Sequence, residues 1–315
     1  MSKPMKEKYL IAVDGGGTKT IAVMSDLKGR ILKKAKTGST NPNKIGFEKA
    51  IFNLKKIIFK VTKGCPRNQI GFCYLGLAGG LEKDKEKKKK IEKFLKKIFS
   101  FPIKVEGDQK IAFRSGTDEI DGVLIIAGTG SISMGWRGKK EEVSGGWDWL
   151  LGDQGSAFWI GKKALEEAIK TFDGRRKETL LRKTIFQKLK IKNGKELYQK
   201  FYQKNFVKKV ASISVMVDEI ALKGNKTARK ILEEAGKELN QMALSVIKKL
   251  KFRKQFPLVL VGEVFNSKFV FQRVKKEIKK YYPQVQFIRP KKPPIFGGIK
   301  IALENFKEKY ANFRY

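Results

Sequence analysis

Two glycine-rich turns, each set between apolar runs, constrain this chain more than any other feature. The first runs Tyr9-Leu-Ile-Ala-Val-Asp14-Gly-Gly-Gly-Thr18-Lys19-Thr20-Ile-Ala-Val, the second Gly122-Val-Leu-Ile-Ile-Ala-Gly128-Thr129-Gly130-Ser131-Ile-Ser-Met-Gly. Each spells strand, tight turn, strand. Glycine permits positive φ and lets a ligand lie against the main chain, and successive N–H groups form an anion-binding concavity. One such hairpin alone reads as an ordinary two-residue turn. Two of them, the first opened by Asp14, point to a nucleotide polyphosphate gripped from two sides.

The commoner phosphate motifs do not fit. A P-loop needs four residues between its first glycine and a Gly-Lys pair, and the chain has no such string. A dinucleotide fingerprint needs a third glycine leading into a helix. After Gly130 the chain continues Ser-Ile-Ser-Met-Gly-Trp, a strand pattern.

With 315 residues, 41% of them hydrophobic, the chain can bury two cores. No apolar run approaches the roughly 20 residues of a membrane span. The N-terminal Met-Ser-Lys-Pro-Met-Lys-Glu-Lys leads straight into a short strand rather than a signal peptide. Cys65 and Cys73 make neither a disulfide framework nor a metal-ligand set. The reading is a reduced, cytoplasmic protein with no membrane association. The net charge of +39 would attract nucleic acid non-specifically. That charge is lysine scattered through the helical stretches, and no zinc finger, RNP pair or KH loop accompanies it. Even the densest run, Lys83 to Phe99, sets Ile91, Phe94, Leu95 and Ile98 at helical spacing. Nucleic acid is therefore not read as the main partner.

The order of elements suggests duplication. Strand, turn and strand are followed by helix–strand alternation, and the second glycine-rich turn restarts the program. A domain of residues 1–119 and a domain of residues 120–299 are expected, with a closing helix at about 300–315 packing on the first. Two α/β domains facing each other across a cleft follow from this pattern. The region from Val210 to Lys249 reads as helix interrupted at Gly224-Asn225. A last long strand, Pro257 to Gly262, precedes a helix and a short strand at Val285 to Ile288.

The strings Asp14-Gly-Gly-Gly-Thr-Lys-Thr, Ala127-Gly-Thr-Gly-Ser, Gly145-Gly-Trp-Asp-Trp-Leu-Leu-Gly-Asp-Gln-Gly-Ser156 and Leu260-Val-Gly-Glu-Val-Phe265 together carry a resemblance. The chain resembles the BadF/BcrA-type ATPases over nearly its whole length, and among them the N-acetylglucosamine kinases. The resemblance implies the actin/hexokinase/Hsp70 fold: two ribonuclease H-like domains with a nucleotide cleft between them. It implies ATP and Mg²⁺ as cofactors, an amino sugar as acceptor and a homodimer.

Site residues follow, each with a plainer alternative. Asp14 can hold Mg²⁺ through water or merely cap its own turn. Gly16, Gly17, Thr18, Lys19, Gly128, Thr129 and Gly130 are expected around the phosphates, with the resemblance assigning Thr18 and Thr129 to ATP. Gly262, closing the last long strand, suits the adenine. Family members usually carry a second glycine next, where this chain has Glu263. Asp108 ends a short strand just before the second turn and is expected to be the general base of phosphoryl transfer; a loop-end Asp is the alternative. The resemblance places Asn41 on the sugar hydroxyls and Gly146, Trp147, Asp148 and Asp153 around the sugar. Asp148 stands where glycine is common and Gln154 where Glu is common. The extra charge at 148 favours an amino sugar with a free ammonium.

The leading expectation is a kinase of N-acetylglucosamine acting at O6. Glucosamine or N-acetylmuramic acid is the alternative acceptor. An iron–sulfur activator of a 2-hydroxyacyl-CoA dehydratase is a second reading within the family, and a non-catalytic nucleic-acid-binding protein a third from another class.

Overall fold

The structure is a computed structural model that describes residues 7–177 and 179–311. It divides into two compact units. One comprises the residues up to Glu119 together with those from Pro290 on, and the other is Ile120–Arg289.

In the first unit, β1 (Tyr9–Gly15), β2 (Thr20–Asp26), β3 (Ile31–Thr37), β4 (Ile70–Leu77) and β5 (Ile103–Gly107) form one sheet in the order β3-β2-β1-β4-β5. The hairpin pairs are antiparallel, whereas β1, β4 and β5 run parallel. Helices α1 (Pro42–Ile45), α2 (Phe47–Thr62), α3 (Lys85–Ile98) and α4 (Asp108–Gly116) connect them. β4 is buried along its whole length, as a parallel strand covered on both faces must be. In β1, Ile11 and Val13 join the core with Leu54, Ile57, Ile91 and Leu95, while Leu10 and Ala12 face the opposite clusters. The lysine-dense segment does form α3, capped by Asp84 and burying Ile91 and Leu95; Phe94 lies outside that buried stripe. β3 is the outer strand and carries Lys33, Lys34 and Lys36, charges that discourage edge pairing with other chains.

The second unit repeats this plan. β6 (Gly122–Ala127), β7 (Ser131–Arg137), β8 (Lys140–Gly145), β9 (Pro257–Val261) and β10 (Gln286–Ile288) are ordered β10-β9-β6-β7-β8. Read from the other edge, this is the first sheet again: an antiparallel meander of three strands, then two parallel additions. Its helices are α5 (Asp148–Leu151), α6 (Ala157–Phe172), α7 (Leu180–Lys188), α8 (Gly194–Phe201), α9 (Phe206–Leu222), α10 (Lys226–Leu250) and α11 (Lys268–Tyr281). The expected break falls between α9 and α10, where the Asn225 side chain accepts from Ala228 N at 2.9 Å and starts the second helix. Helices α7 and α8 are too short for periodicity to reveal.

The last helix, α12 (Pro294–Ala311), belongs wholly to the first unit. The expected boundary at 299 falls inside it and moves back to about residue 290. Ile295 and Ile299 share a core with Ala12 and Val23, and Ile301 and Ala302 pack with Leu10, Tyr74 and Ile111. At Gly297 the helix crosses α4 so closely that a Cβ would lie 2.7 Å from Ser115 N. The crossing is locked by Arg114, only 2% exposed, which donates to Glu304 at 2.7 Å and to the Asp118 carbonyl at 3.2 Å.

Removing one partner of a buried charged bond strands the other. Glu304→Ala is therefore expected to cost about 1–3 kcal/mol in urea unfolding, discounted because Glu304 is itself half exposed. An unchanged midpoint would mean that the apolar face of α12 holds it alone.

Candidate functional site

In the first unit the parallel register lines up three strand ends. Gly15, Leu77 and Gly107 lie in one row across β1, β4 and β5. The next residue in each strand direction is Gly16, Ala78 and Asp108, so the first turn, the loop after β4 and the expected base share one edge of the sheet. Parallel sheets bind ligands at this carboxyl edge.

The turn after β1 is closed by Gly16 N donating to Lys19 O at 3.0 Å. None of Gly15, Gly16 and Gly17 has positive φ, so they are not required for backbone conformation. Gly16 is required for space, since a Cβ there would lie 2.9 Å from the Lys19 carbonyl; at Gly17 a Cβ would meet nothing closer than 3.8 Å. Thr18 and Lys19 are exposed beside it. Asp14 is half-buried, and burial holds its carboxyl above the ordinary range while Lys19 pulls it partly back.

Asp108 is the first residue of α4. Its carboxyl is pushed up to about 7 by burial first, then by the charges of Asp14 and Glu82, against the lowering effect of the backbone N–H groups of Asp108 and Gln109. Glu82 is a residue that sequence reasoning missed. It follows β4, and its Oε2 accepts from Gln109 Nε2 at 3.2 Å. The available signal was Gly79-Gly80 directly after a buried strand, a loop at a strand end.

Asn41 stands at the start of α1. Its Oδ1 accepts from Asn43 N at 2.9 Å, so the amide oxygen is occupied in capping, while Nδ2 lies nearest to the space beside Gly17.

In the second unit, Gly128 N donates to Gly130 O at 2.9 Å across the turn, and again neither glycine has positive φ. A Cβ on Gly128 would meet nothing within 4 Å, whereas one on Gly130 would lie 2.6 Å from Asp153 Oδ2. Asp153 is buried with φ 60°, and its Oδ1 accepts from Ser131 N at 3.1 Å. Sequence reasoning set Asp153 beside the sugar and missed this contact with the Gly128–Gly130 turn. The whole segment 145–156 is laid along that turn: Gly146 N donates to Ser131 O at 3.0 Å, and Ser131 Oγ to Gln154 O at 2.7 Å. Ala157 N, at the start of α6, donates to Gly128 O at 2.8 Å. Trp147 and Asp148 project from the same segment, both exposed, with Asp148 at φ 68° accepting from Trp149 N at 2.7 Å. Trp149 lies at the rim of the core and packs edge-on to Phe158 and Phe206.

Gly262 adjoins this turn. It has φ 113°, and a Cβ there would overlap the Ala127 carbonyl; glycine is needed on both counts. Glu263 follows as the first residue of a short 3₁₀ turn and is exposed.

The two sheets and the helices around them define an α/β fold of the actin/hexokinase type. Solved structures agree: a proposed N-acetylglucosamine kinase from Chromobacterium violaceum superposes with a TM-score of 0.70 at 18% identity, covering 94% of this chain and 99% of that one. A ROK family glucokinase from Streptomyces griseus, solved with glucose and AMPPNP, gives 0.55 at 16% identity, covering 93% and 98%. Residues 11–300 match the profile of the BadF/BadG/BcrA/BcrD ATPase family, and the chain belongs to that family. Among curated relatives, the N-acetylmuramic acid/N-acetylglucosamine kinase of Clostridium acetobutylicum is 32% identical over 94% of this chain and 98% of its own. The N-acetyl-D-glucosamine kinase of Dictyostelium discoideum is 31% identical over 96% and 100%.

The raised carboxyl of Asp108 has a consequence for stability. Its folded-state value near 7 exceeds the ordinary 3.8, so the folded state binds the extra proton between those limits. Asp108 therefore destabilises the fold above pH 7, and the penalty fades as pH falls toward 4. Asp108→Asn is expected to raise the melting temperature at pH 8 by a few degrees, roughly 2–5 °C, and by much less at pH 5. An equal effect at both pH values would contradict the buried, protonatable carboxyl.

Proposed function

We propose that this protein is an ATP-dependent kinase of amino sugars, with N-acetylglucosamine the leading acceptor. The observation that carries this is the half-buried Asp108, poised near neutrality at the sheet edge it shares with Asp14 and the Asn41 turn. A general base works best when its proton affinity is matched to the operating pH. Relatives of similar full length that are named as N-acetylglucosamine and N-acetylmuramic acid kinases support the substrate class. A glucosamine kinase of Vibrio cholerae, 29% identical over 55% of this chain, belongs to the same set; glucosamine and N-acetylmuramic acid remain the alternative acceptors.

In this reading the backbone donors around Gly16, Gly17, Gly128 and Gly130, with the hydroxyls of Thr18 and Thr129, hold the phosphates of ATP. The room above Gly17 and Gly128 is what a ligand lying against the main chain requires. Asp153 keeps the second turn in shape through Ser131. Gly262 leaves its backbone open to the adenine. Among the described residues no three side chains form a metal cage. That suits Mg²⁺, which takes one or two carboxylates and completes its shell with phosphate and water. Asp14 fits it, since a carboxyl raised by burial is relieved by a bound cation. When bound, the ion neutralises phosphate charge. Asp108 takes the proton of the acceptor hydroxyl, O6 in this proposal, as that oxygen attacks the terminal phosphate. Asn41 donates through Nδ2 to the sugar, and Trp147 offers an apolar face to the ring.

Cys73 is buried within β4 and Cys65 is half-buried, which gives the iron–sulfur reading no support. ATP consumption measured against N-acetylglucosamine, glucosamine and N-acetylmuramic acid tests the proposal. Asp108→Asn is expected to lower kcat by about 10²–10⁴-fold with ATP affinity nearly unchanged; full turnover by this variant would place the base elsewhere.

A further inference from the structure

β4 is the middle strand of the three parallel strands, so the loop that follows it emerges between the ends of β1 and β5. It is tied on both sides. Toward the Asn41 turn, Gly79 O accepts from Asn43 Nδ2 at 2.9 Å, and a Cβ on Gly79 would lie 2.8 Å from Asn41 Oδ1. Lys87 bridges Asn43 and Asp84, at 3.0 and 2.9 Å, and closes the same side. Toward the base, Gln109 holds Glu82 at 3.2 Å, and a Cβ on Gly107 would come within 3.7 Å of Glu82 N. The loop that carries Glu82 thus runs from the Asn41 turn to the proposed base, with Glu82 at the base end.

Two further facts mark it as more than a loop contact. Gln109 is 7% exposed, and its Oε1 has no hydrogen-bond partner. A buried amide turned to a carboxylate, with its other end unsatisfied, is a costly arrangement for loop anchoring alone. In a chain with 70 lysines and arginines, the ion pairs among the described residues include none to Glu82, Asp14 or Asp108. The charges of Asp14 and Glu82 acting on Asp108 make this edge locally negative in a strongly cationic protein. Asp14 serves the divalent ion in the reading above; Glu82 lies on the acceptor side.

We infer that Glu82 is a specificity-determining residue that pairs with an ammonium on the acceptor, so that the site takes an unacetylated amino sugar as well as its N-acetyl form. This rests on the hexosamine kinase reading. The neutral amide of an N-acetyl sugar can donate one hydrogen bond to Glu82. An ammonium adds charge to that bond. The charge that Glu82 exerts on Asp108 is consistent with its carboxylate being close to the reacting hydroxyl.

The test compares kcat/KM for glucosamine and for N-acetylglucosamine in the wild type, Glu82→Gln and Glu82→Asp. Glutamine keeps the shape and can still accept from Gln109, but has no charge. The glucosamine to N-acetylglucosamine ratio is expected to fall about tenfold in Glu82→Gln. Glu82→Asp is expected to retain most of the ratio. An unchanged ratio, or equal losses on both sugars, would overturn the inference. Absence of product from either sugar in the wild type would instead refute the kinase reading. Calorimetric titration with glucosamine alone then still decides: lost affinity in Glu82→Gln supports the role, and equal affinity removes it.

Discussion

Three parallel strands ending at one edge are the constraint from which the candidate site follows. Hydrogen-bond register between β1, β4 and β5 leaves no freedom in where the next residues emerge, so Gly16, Ala78 and Asp108 are delivered side by side. Segments far apart in sequence thereby share one small region. The same register is what lets burial act: the strand ends sit over apolar layers on both faces, and carboxylates placed there lose water. Asp14 and Asp108 respond by holding protons more tightly. In the second unit the equivalent edge carries backbone in place of charge, with Gly262 pressed against the Ala127 carbonyl and Asp153 turned inward to fix the Gly128–Gly130 turn.

Much of this was legible in the residues. The two glycine-rich hairpins, the duplicated program and the break at Asn225 depend on local rules of turn, period and cap, and a sequence displays local rules directly. What the glycines do was less accessible. Positive φ is the usual reason for glycine in a turn, yet the glycines of both glycine-rich turns avoid it, and Gly16 and Gly130 are needed because a Cβ there would meet a neighbouring atom. Only neighbouring atoms distinguish the two causes. The contact of Asp153 with the second turn and the place of Glu82 were hidden for a related reason. Asp153 reaches Ser131 across 22 residues and Glu82 meets Gln109 across 27, and nothing in spacing or composition announces contacts of that range. The start of α4 at Asp108 was missed because nine residues make only about two and a half turns, too few for a helical period to stand out.

The charge of the chain also looks different once its exceptions are located. Lysine covers the outer strand of the first sheet and the solvent face of α3, where it solubilises without engaging any chemistry. Where the parallel strands end, Asp14 and Glu82 both place negative charge against Asp108. Against a strongly cationic surface, that local negative charge is where a cation is favoured.

The placement of α12 has a consequence for how this protein comes into being. The face of the first sheet that carries Leu10, Ala12 and Tyr74 is covered by a helix from the far end of the chain. A nascent polypeptide that has left the ribosome only as far as Glu119 has made all five strands of that sheet but not their lid. Those apolar side chains must wait, exposed or guarded by a chaperone, through the synthesis of the entire second unit. Completion of the first half therefore waits until the second unit has been made, and a chain cut between that unit and α12 would leave the first half without the cover of its sheet.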